Sequence, residues 1–272
     1  METTSTERPE SGPRPPVLSG VPADRRRAIV VGASSGIGRA LVRRLAGEGY
    51  AVAALARRGD ALEALREECR EDLERAGGRM IVRAHDVVNT GEVPELFAEL
   101  VEELGGLDLI LYVAAVMPAI GPTEYDTEKD LTMLSVNVGG CIAWCNPAAT
   151  LFTTQRFGTI VGVSSIAGDR GRKGNPVYGT TKAAMNTYLE ALRNRLSEVG
   201  AHVTTIKPGF VDTAMTAGME NPLWMISADD AAKQILSAAR RRVNTKYVPW
   251  KWRVVGTVIR SIPSAIFRHL NV

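Results

Sequence analysis

Histidine and cysteine are scarce in this chain of 272 residues, with three of each. His85, His202 and His269 are scattered and have no H-x-x-E or H-E-x-x-H neighbours, so no metal site is expected. Cys69, Cys141 and Cys145 form neither a disulfide framework nor a C-x-x-C pair. Cys141 and Cys145 are four apart and share a helix face, where small buried apolar groups are the ordinary occupants. No apolar run reaches the ~18–20 residues of a membrane span, and the opening METTSTERPESGPRPP lacks the apolar core of a secretory signal. Basic residues exceed acidic ones by only 33 to 30, and no basic block interleaves with aromatics, so no nucleic-acid partner is expected. These absences make a reducing, cytoplasmic setting the default.

What is present is an apolar content of 45% with 23% charged residues, enough for one large α/β domain. Residues 1–24 are polar and carry five prolines, a composition expected to stay disordered. Order is expected from Arg27-Ala-Ile-Val-Val31, an apolar run suited to a strand buried on both faces. Gly32-Ala-Ser-Ser-Gly-Ile-Gly38 follows, and then a helical pattern over 39–48 with Ile37, Leu41 and Leu45 four apart. Strand, glycine turn and helix in that order bring backbone close to a pyrophosphate at the positive end of the helix. The spacing is G-x-x-x-G-x-G, not G-x-G-x-x-G. The turn therefore points to Gly32, Ser34, Ser35, Gly36, Ile37 and Gly38 as phosphate-side contacts; a purely structural turn is the alternative.

Further strands are expected over 50–56, 80–84, 108–113, 159–163 and 202–206, with a last one near Tyr247-Val248. Helices are expected over 60–76, 92–104, 127–154 and 176–198. Such alternation calls for a parallel sheet with right-handed crossovers and a ligand beyond the carboxyl ends of its strands. The glycine turn, Arg57, Asp86, Ala114, Ser165 and Pro208-Gly209 all fall at those ends. At the second strand end an acidic residue would bond the ribose hydroxyl of NAD, whereas arginine accommodates the extra phosphate of NADP. Here Ala56 stands in the acid's place and Arg57 and Arg58 follow, so charge argues for NADP(H). The alternative is that one or both arginines only begin the next helix.

Tyr178 and Lys182 are four apart and share a face of a helix that starts near Pro176. An ammonium beside a phenol lowers the phenol pKa from its reference near ~10, which suits it to proton transfer near neutral pH. Ser165, thirteen positions earlier, ends the apolar run before it, where its hydroxyl can reach the same substrate oxygen. Tyr and Lys at this spacing also occur on ordinary solvated helix faces.

Taken together, Gly32–Gly38, Asp86-Val87, Asn137, Ser164-Ser165, Tyr178-Gly-Thr-Thr-Lys182 and Pro208-Gly-Phe-Val-Asp-Thr213 resemble the short-chain dehydrogenases/reductases over about residues 26–215. The resemblance implies a single doubly wound parallel sheet of Rossmann type, an α/β fold flanked by helices. It implies Tyr178 as acid/base, Ser165 polarising the carbonyl, Lys182 holding the nicotinamide ribose, and Asn137 in a water-linked proton relay. Asp86 and Val87 would contact the adenine end, and Pro208, Gly209, Val211 and Thr213 the nicotinamide end. The expected activity interconverts an alcohol and a ketone or aldehyde with NADP(H). The family commonly pairs subunits through helices like those at 92–104, 127–154 and 176–198, implying a homodimer or homotetramer. One departure stands out: where the family has N-N-A-G, this chain has Tyr112-Val113-Ala114-Ala115. A buried substitute for the first asparagine would leave its partners to find other hydrogen bonds, and Ala115 adds a methyl near the cofactor.

The catalytic body is expected over 25–249, with 250–272 as an amphipathic helical extension of it. In that extension Trp252, Val255, Val258, Ile259 and Ile262 recur near helical spacing among Lys251, Arg253 and Arg260. Packing on the domain or a second subunit, contact with a membrane surface and gating of the substrate pocket are the three readings. The pocket is expected from 117–121, 166–172 and 210–225; the methionines and Trp224 of the last stretch favour an apolar carbonyl substrate. Two other classes compete with the enzyme: a non-catalytic NADP-binding regulator on the same scaffold, and a membrane-associated scaffold protein.

Overall fold

The first strand, β1 (Arg27–Val31), has four of its five residues fully buried, because apolar side chains cover both faces of it. In the computed structural model, which describes residues 26–219 and 222–270, Ala28 and Val30 enter one core while Ile29 and Val31 enter another. The expected leader at 1–24 lies outside the described residues.

β1 is followed by α1 (Gly36–Gly47), β2 (Ala51–Ala56), α2 (Gly59–Glu68), α3 (Arg70–Ala76) and β3 (Arg79–Ala84). Next come α4 (Val93–Leu104), β4 (Leu109–Tyr112), α5 (Thr127–Met133), α6 (Gly140–Gln155), β5 (Thr159–Val163), α7 (Pro176–Leu196) and β6 (His202–Pro208). Two short strands, β7 (Val211–Asp212) and β8 (Ile226–Ser227), pair with each other. The chain then runs through α8 (Ala228–Arg240), β9 (Thr245–Val248), α9 (Lys251–Ser261) and α10 (Ser264–Phe267). The main sheet has seven parallel strands in the order β3-β2-β1-β4-β5-β6-β9. The chain steps outward from β1 to β3, then returns to place β4 on the other side of β1. That reversal opens a crevice at the carboxyl ends of β1 and β4, the place where such sheets hold ligands.

The helix expected over 60–76 is two helices that meet at Cys69, where ψ is −2°. The long helical stretch over 127–154 is also interrupted: residues Leu134–Gly139 form a π-helical turn between α5 and α6. An extra residue per turn frees backbone carbonyls that a regular helix would use, and Asn137 sits in this turn. Cys141 and Cys145 follow it in the core, their sulfurs 3.9 Å apart. Ser227 caps α8 by accepting a hydrogen bond from the Asp230 N–H at 3.0 Å, an S-x-x-D capping arrangement.

The extension packs on the domain through the loop after β5. Trp252 and Gly256 of α9 are buried, and a Cβ on Gly256 would stand 2.6 Å from the Asp169 carboxylate. The Arg170 guanidinium donates to the carbonyls of Ile259 (2.7 Å), Arg260 (3.3 Å) and Ile262, which closes the end of α9. It also lies over the Phe267 ring at 4.1 Å. Cations at a helix C-terminus complement the partial negative charge there.

Candidate active site

Gly32 begins the site because its φ of +96° turns the chain sharply out of β1. A Cβ there would lie 2.5 Å from the Ala114 nitrogen, and one on Gly38 would lie 2.0 Å from the Gly32 carbonyl oxygen. The turn is therefore closed against β4 and against its own helix without side chains. Ser35 caps α1 with extended backbone but without a side-chain hydrogen bond, and no acidic residue occupies the first turn. The amide groups at this helix start are left for an anionic ligand. At the end of β2, Arg57 and Arg58 are exposed and line the same cavity, and Arg58 donates to the Ser34 hydroxyl at 3.1 Å. A diphosphate at the glycine turn with a further phosphate near the two arginines fits this donor set.

The cavity has a volume of about 580 Å³ and runs from the arginines to Tyr178. Asp86, Val87, Ala114, Pro208, Gly209, Val211 and Thr213 also line it, as do Ser165, Tyr178 and Lys182. Of the expected catalytic and cofactor-contact residues, all line the cavity except Asn137, which lies behind its wall; of the expected pocket stretches, residues 118–121, 168–171 and 222–225, Trp224 among them, do not line it. Asn137 is completely buried; its Oδ1 accepts from the Val116 N–H at 2.8 Å. Its Nδ2 donates to the Val116 carbonyl at 3.0 Å and to Thr181 Oγ1 at 3.1 Å. It thus ties the loop after β4 to α7, one turn from Tyr178.

Asn175 starts α7 by accepting a hydrogen bond from the Tyr178 N–H at 3.2 Å, with Pro176 in the first turn. This fixes Tyr178 and Lys182 on one face, with the Lys182 ammonium 5.6 Å from the Tyr178 ring centre. Lys182 directs its ammonium to the Val163 carbonyl at 3.0 Å, and burial pushes its pKa down to about 8. The expectation that Lys182 lowers the tyrosine pKa is corrected here. Burial raises the Tyr178 pKa above the ordinary phenol value, opposed by a hydrogen bond from Ser165 and by the Arg172 cation. Arg172, in the loop before α7, is the tuning charge that sequence reasoning missed; no periodicity marks it. Ser165 itself caps a short turn, accepting from the Ala167 N–H at 3.1 Å.

The altered Tyr112 has its own solution. Its ring is buried and its hydroxyl donates to the Val136 carbonyl in the π-helical turn, beside Asn137. Burial holds the phenol well above its ordinary pKa, so it stays a donor. Room for it comes from Gly140, where a Cβ would stand 2.3 Å from the hydroxyl oxygen. Tyr112→Phe is expected to remove that buried hydrogen bond at a cost of about 0.5–1.5 kcal/mol. Gly140→Ala should cost more in the wild type than in the Tyr112→Phe background, because the phenylalanine lacks the clashing oxygen. Urea unfolding of the four proteins in this cycle measures both effects.

On the substrate side, Met117, Ile166, Phe210, Met215 and Met219 line the cavity. Trp252 of α9 lines it too, stacked edge-on against Phe210 (5.5 Å) and Trp224 (5.4 Å). A Cβ on Gly209 would lie 1.9 Å from the Trp252 indole nitrogen, so the two elements are in close contact. The wall contributed by the extension was legible only as one of three alternatives.

Residues 26–223 match the short chain dehydrogenase family. An uncharacterised oxidoreductase of Myxococcus xanthus is 33% identical over 243 residues, covering 89% of this chain and 94% of that protein. An uncharacterised oxidoreductase of Staphylococcus aureus is 34% identical over 190 residues, 70% of this chain and 80% of the relative. Among solved structures, a short-chain type dehydrogenase/reductase from Mycobacterium ulcerans shares the fold with a TM-score of 0.76 at 21% identity, covering 90% of this chain and 98% of its own. ElxO with NADP bound gives a TM-score of 0.72 at 20% identity, over 83% of this chain and 98% of ElxO. The fold, the glycine turn and the Ser165–Tyr178–Lys182 face thus agree with a sequence match across most of the chain: the protein belongs to the short-chain dehydrogenases/reductases, a family of oxidoreductases.

Proposed function

We propose that the protein interconverts an alcohol and a ketone or aldehyde using NADP(H), with Tyr178 as the acid/base. The observation that carries this reading is a single cavity lined by the glycine turn, two arginines, and the half-buried Tyr178 phenol together with Ser165 and Lys182. The ElxO structure holds NADP on a similar fold, which supports the same cofactor here. When bound, the nicotinamide supplies or accepts the hydride. The protein's part is to orient and to move a proton. Amides at the start of α1 hold the diphosphate, Arg57 and Arg58 the further phosphate, and Asp86 and Val87 the adenine end. Lys182 holds the nicotinamide ribose, and Pro208, Gly209, Val211 and Thr213 flank the ring. Ser165 donates to the carbonyl oxygen as charge develops on it, a contribution of the order of 10²–10³ in rate. Tyr178 delivers its proton to that oxygen in reduction and withdraws it in oxidation. Asn137 acts on this site through its bonds to Val116 and Thr181, and the proton relay implied by the family would pass beside it.

The methionine, phenylalanine and tryptophan wall favours an apolar carbonyl compound. Leu131, Leu134 and Ile142 remain exposed along α5 to α6, which supports pairing of subunits through that helical stretch. Intact Ser165, Tyr178 and Lys182 around one cavity favour the enzyme over a non-catalytic NADP-binding protein. The test is oxidation of NADPH beside NADH across apolar ketones, aldehydes and quinones. Arg57→Ala is expected to weaken NADPH binding roughly 10–100-fold, the loss of a charged hydrogen bond, and to leave NADH nearly unchanged. An unaltered preference would refute the phosphate assignment.

Arg172 gives a pH prediction. Its positive charge favours the phenolate, so removing it raises the Tyr178 pKa further. In reduction the phenol must be protonated, and the rate falls as pH rises through that pKa. Arg172→Met is therefore expected to move the alkaline limb of kcat to higher pH. In oxidation, where the phenolate is the base, the rise in rate moves the same way.

A further inference from the structure

The extension has two unlike faces. Trp252 and Gly256 are buried against the domain, with Val255 and Ile259 half-buried beside them. On the opposite side Trp250, Val254 and Val258 recur every four residues and are 63%, 57% and 56% exposed. At 3.6 residues per turn these three fall within about 80° of one another. Arg253 and Arg260, seven apart, border the stripe on one side, and Lys251 borders it on the other, 5.5 Å from the Trp224 ring. Trp224 and the exposed Leu223 continue the apolar surface from the start of α9, and Ile266 and Leu270 are exposed beyond its end.

Charge decides what such a surface fits. Residues 231–272 contain nine lysines and arginines and no acidic residue. Among the described residues, no ion pair involves Lys251, Arg253, Arg260 or Arg268. An exposed apolar stripe with cations on both borders matches a bilayer interface: the apolar groups enter the acyl boundary while long basic side chains reach back to anionic headgroups. A second copy of this face would instead bring like charges together.

We propose that this face docks the protein on the surface of a bilayer containing anionic lipid. Met215 and Met219, exposed, line the cavity together with Trp252, against which Trp224 packs. Docking does not depend on turnover, so its test reads binding alone. The full chain is sedimented with vesicles of phosphatidylcholine and phosphatidylglycerol, and with phosphatidylcholine alone. Wild type is expected in the pellet with the anionic vesicles, and far less of it with the neutral ones. Arg253→Ala with Arg260→Ala should lower partitioning about 25-fold, roughly fivefold for each arginine. Val254→Glu with Val258→Glu should abolish it. Because all four positions are exposed, circular dichroism and the unfolding midpoint should be unchanged. Wild type that stays in the supernatant, or valine variants that still sediment, overturn the proposal. So does a dimer, seen by sedimentation equilibrium, that the valine substitutions dissociate while no form binds vesicles; that result assigns the face to a second copy.

Discussion

Tyr178→Phe is expected to lower kcat about 10²–10⁴-fold, the range carried by a positioned acid or base, while the dissociation constant for NADPH stays within about twofold. The ring survives the substitution, and with it the packing of α7 and the capping by Asn175, which uses the Tyr178 backbone N–H rather than the side chain. Only the hydroxyl and its proton are lost. Stopped-flow single turnovers with NADPH and an apolar ketone separate the chemical step from binding. Equal loss in kcat and kcat/KM would mark an interaction made in the transition state. A variant that keeps wild-type turnover would show that another group supplies the proton. The raised phenol pKa adds a check: wild-type reduction should remain flat across neutral pH and decline only in alkali, since burial keeps Tyr178 protonated there.

How far the sequence carried this site depends on how local each determinant is. The run Arg27–Val31, the glycine turn and the start of α1 are consecutive, so residue types alone located the strand, turn and helix that open one end of the cavity. Pro176 marked the start of α7, and a four-residue spacing then placed Tyr178 beside Lys182. What escaped was the sign of a sum. A lysine four residues away predicts a lowered phenol pKa, but burial of the phenol arises only when distant elements close around it, and burial dominates. The π-helical turn at 134–139 was hidden for a similar reason. Its sequence reads as ordinary helix, and the hydroxyl that donates to its Val136 carbonyl belongs to Tyr112, 24 positions earlier. The same residue that broke the N-N-A-G pattern supplies the bond. Arg170 closing α9 from some 90 positions away is likewise invisible in any window of sequence. The two breaks at Cys69 and Leu134–Gly139 shift no strand, which is why the order of elements was legible though two helices were drawn too long.

Asp169→Ala should be the most destabilising single change in the loop that follows Ser165. The Asp169 carboxylate accepts from the Lys207 ammonium at 2.5 Å and from the Tyr247 hydroxyl at 2.8 Å, with side chains 2% and 10% exposed for the aspartate and the lysine. Tyr247 is held as a donor, its pKa pushed up to about 12 by burial first and by the hydrogen bond to Asp169 second. One carboxylate therefore joins the end of β6, the edge strand β9, and α9 through Gly256. Removing it leaves a buried ammonium without its anion and a phenol without its acceptor, a cost of about 3–5 kcal/mol. For a chain of this size that corresponds to a fall of about 6–20 °C in the unfolding midpoint. Breaking a buried pair from one side is worse than replacing both partners, so Asp169→Leu with Lys207→Met should recover much of the loss. Asp169→Asn, which keeps the shape and one acceptor, should fall between. Calorimetry on the three variants decides the matter. If Asp169→Ala unfolds within a degree of wild type, the pair does not hold the loop, and the anchoring of α9 rests on Arg170 and Trp252 alone. If the full loss appears, substrate KM in Asp169→Asn should rise more than the NADPH dissociation constant, because the contacts released lie at the Trp252 wall rather than at the glycine turn.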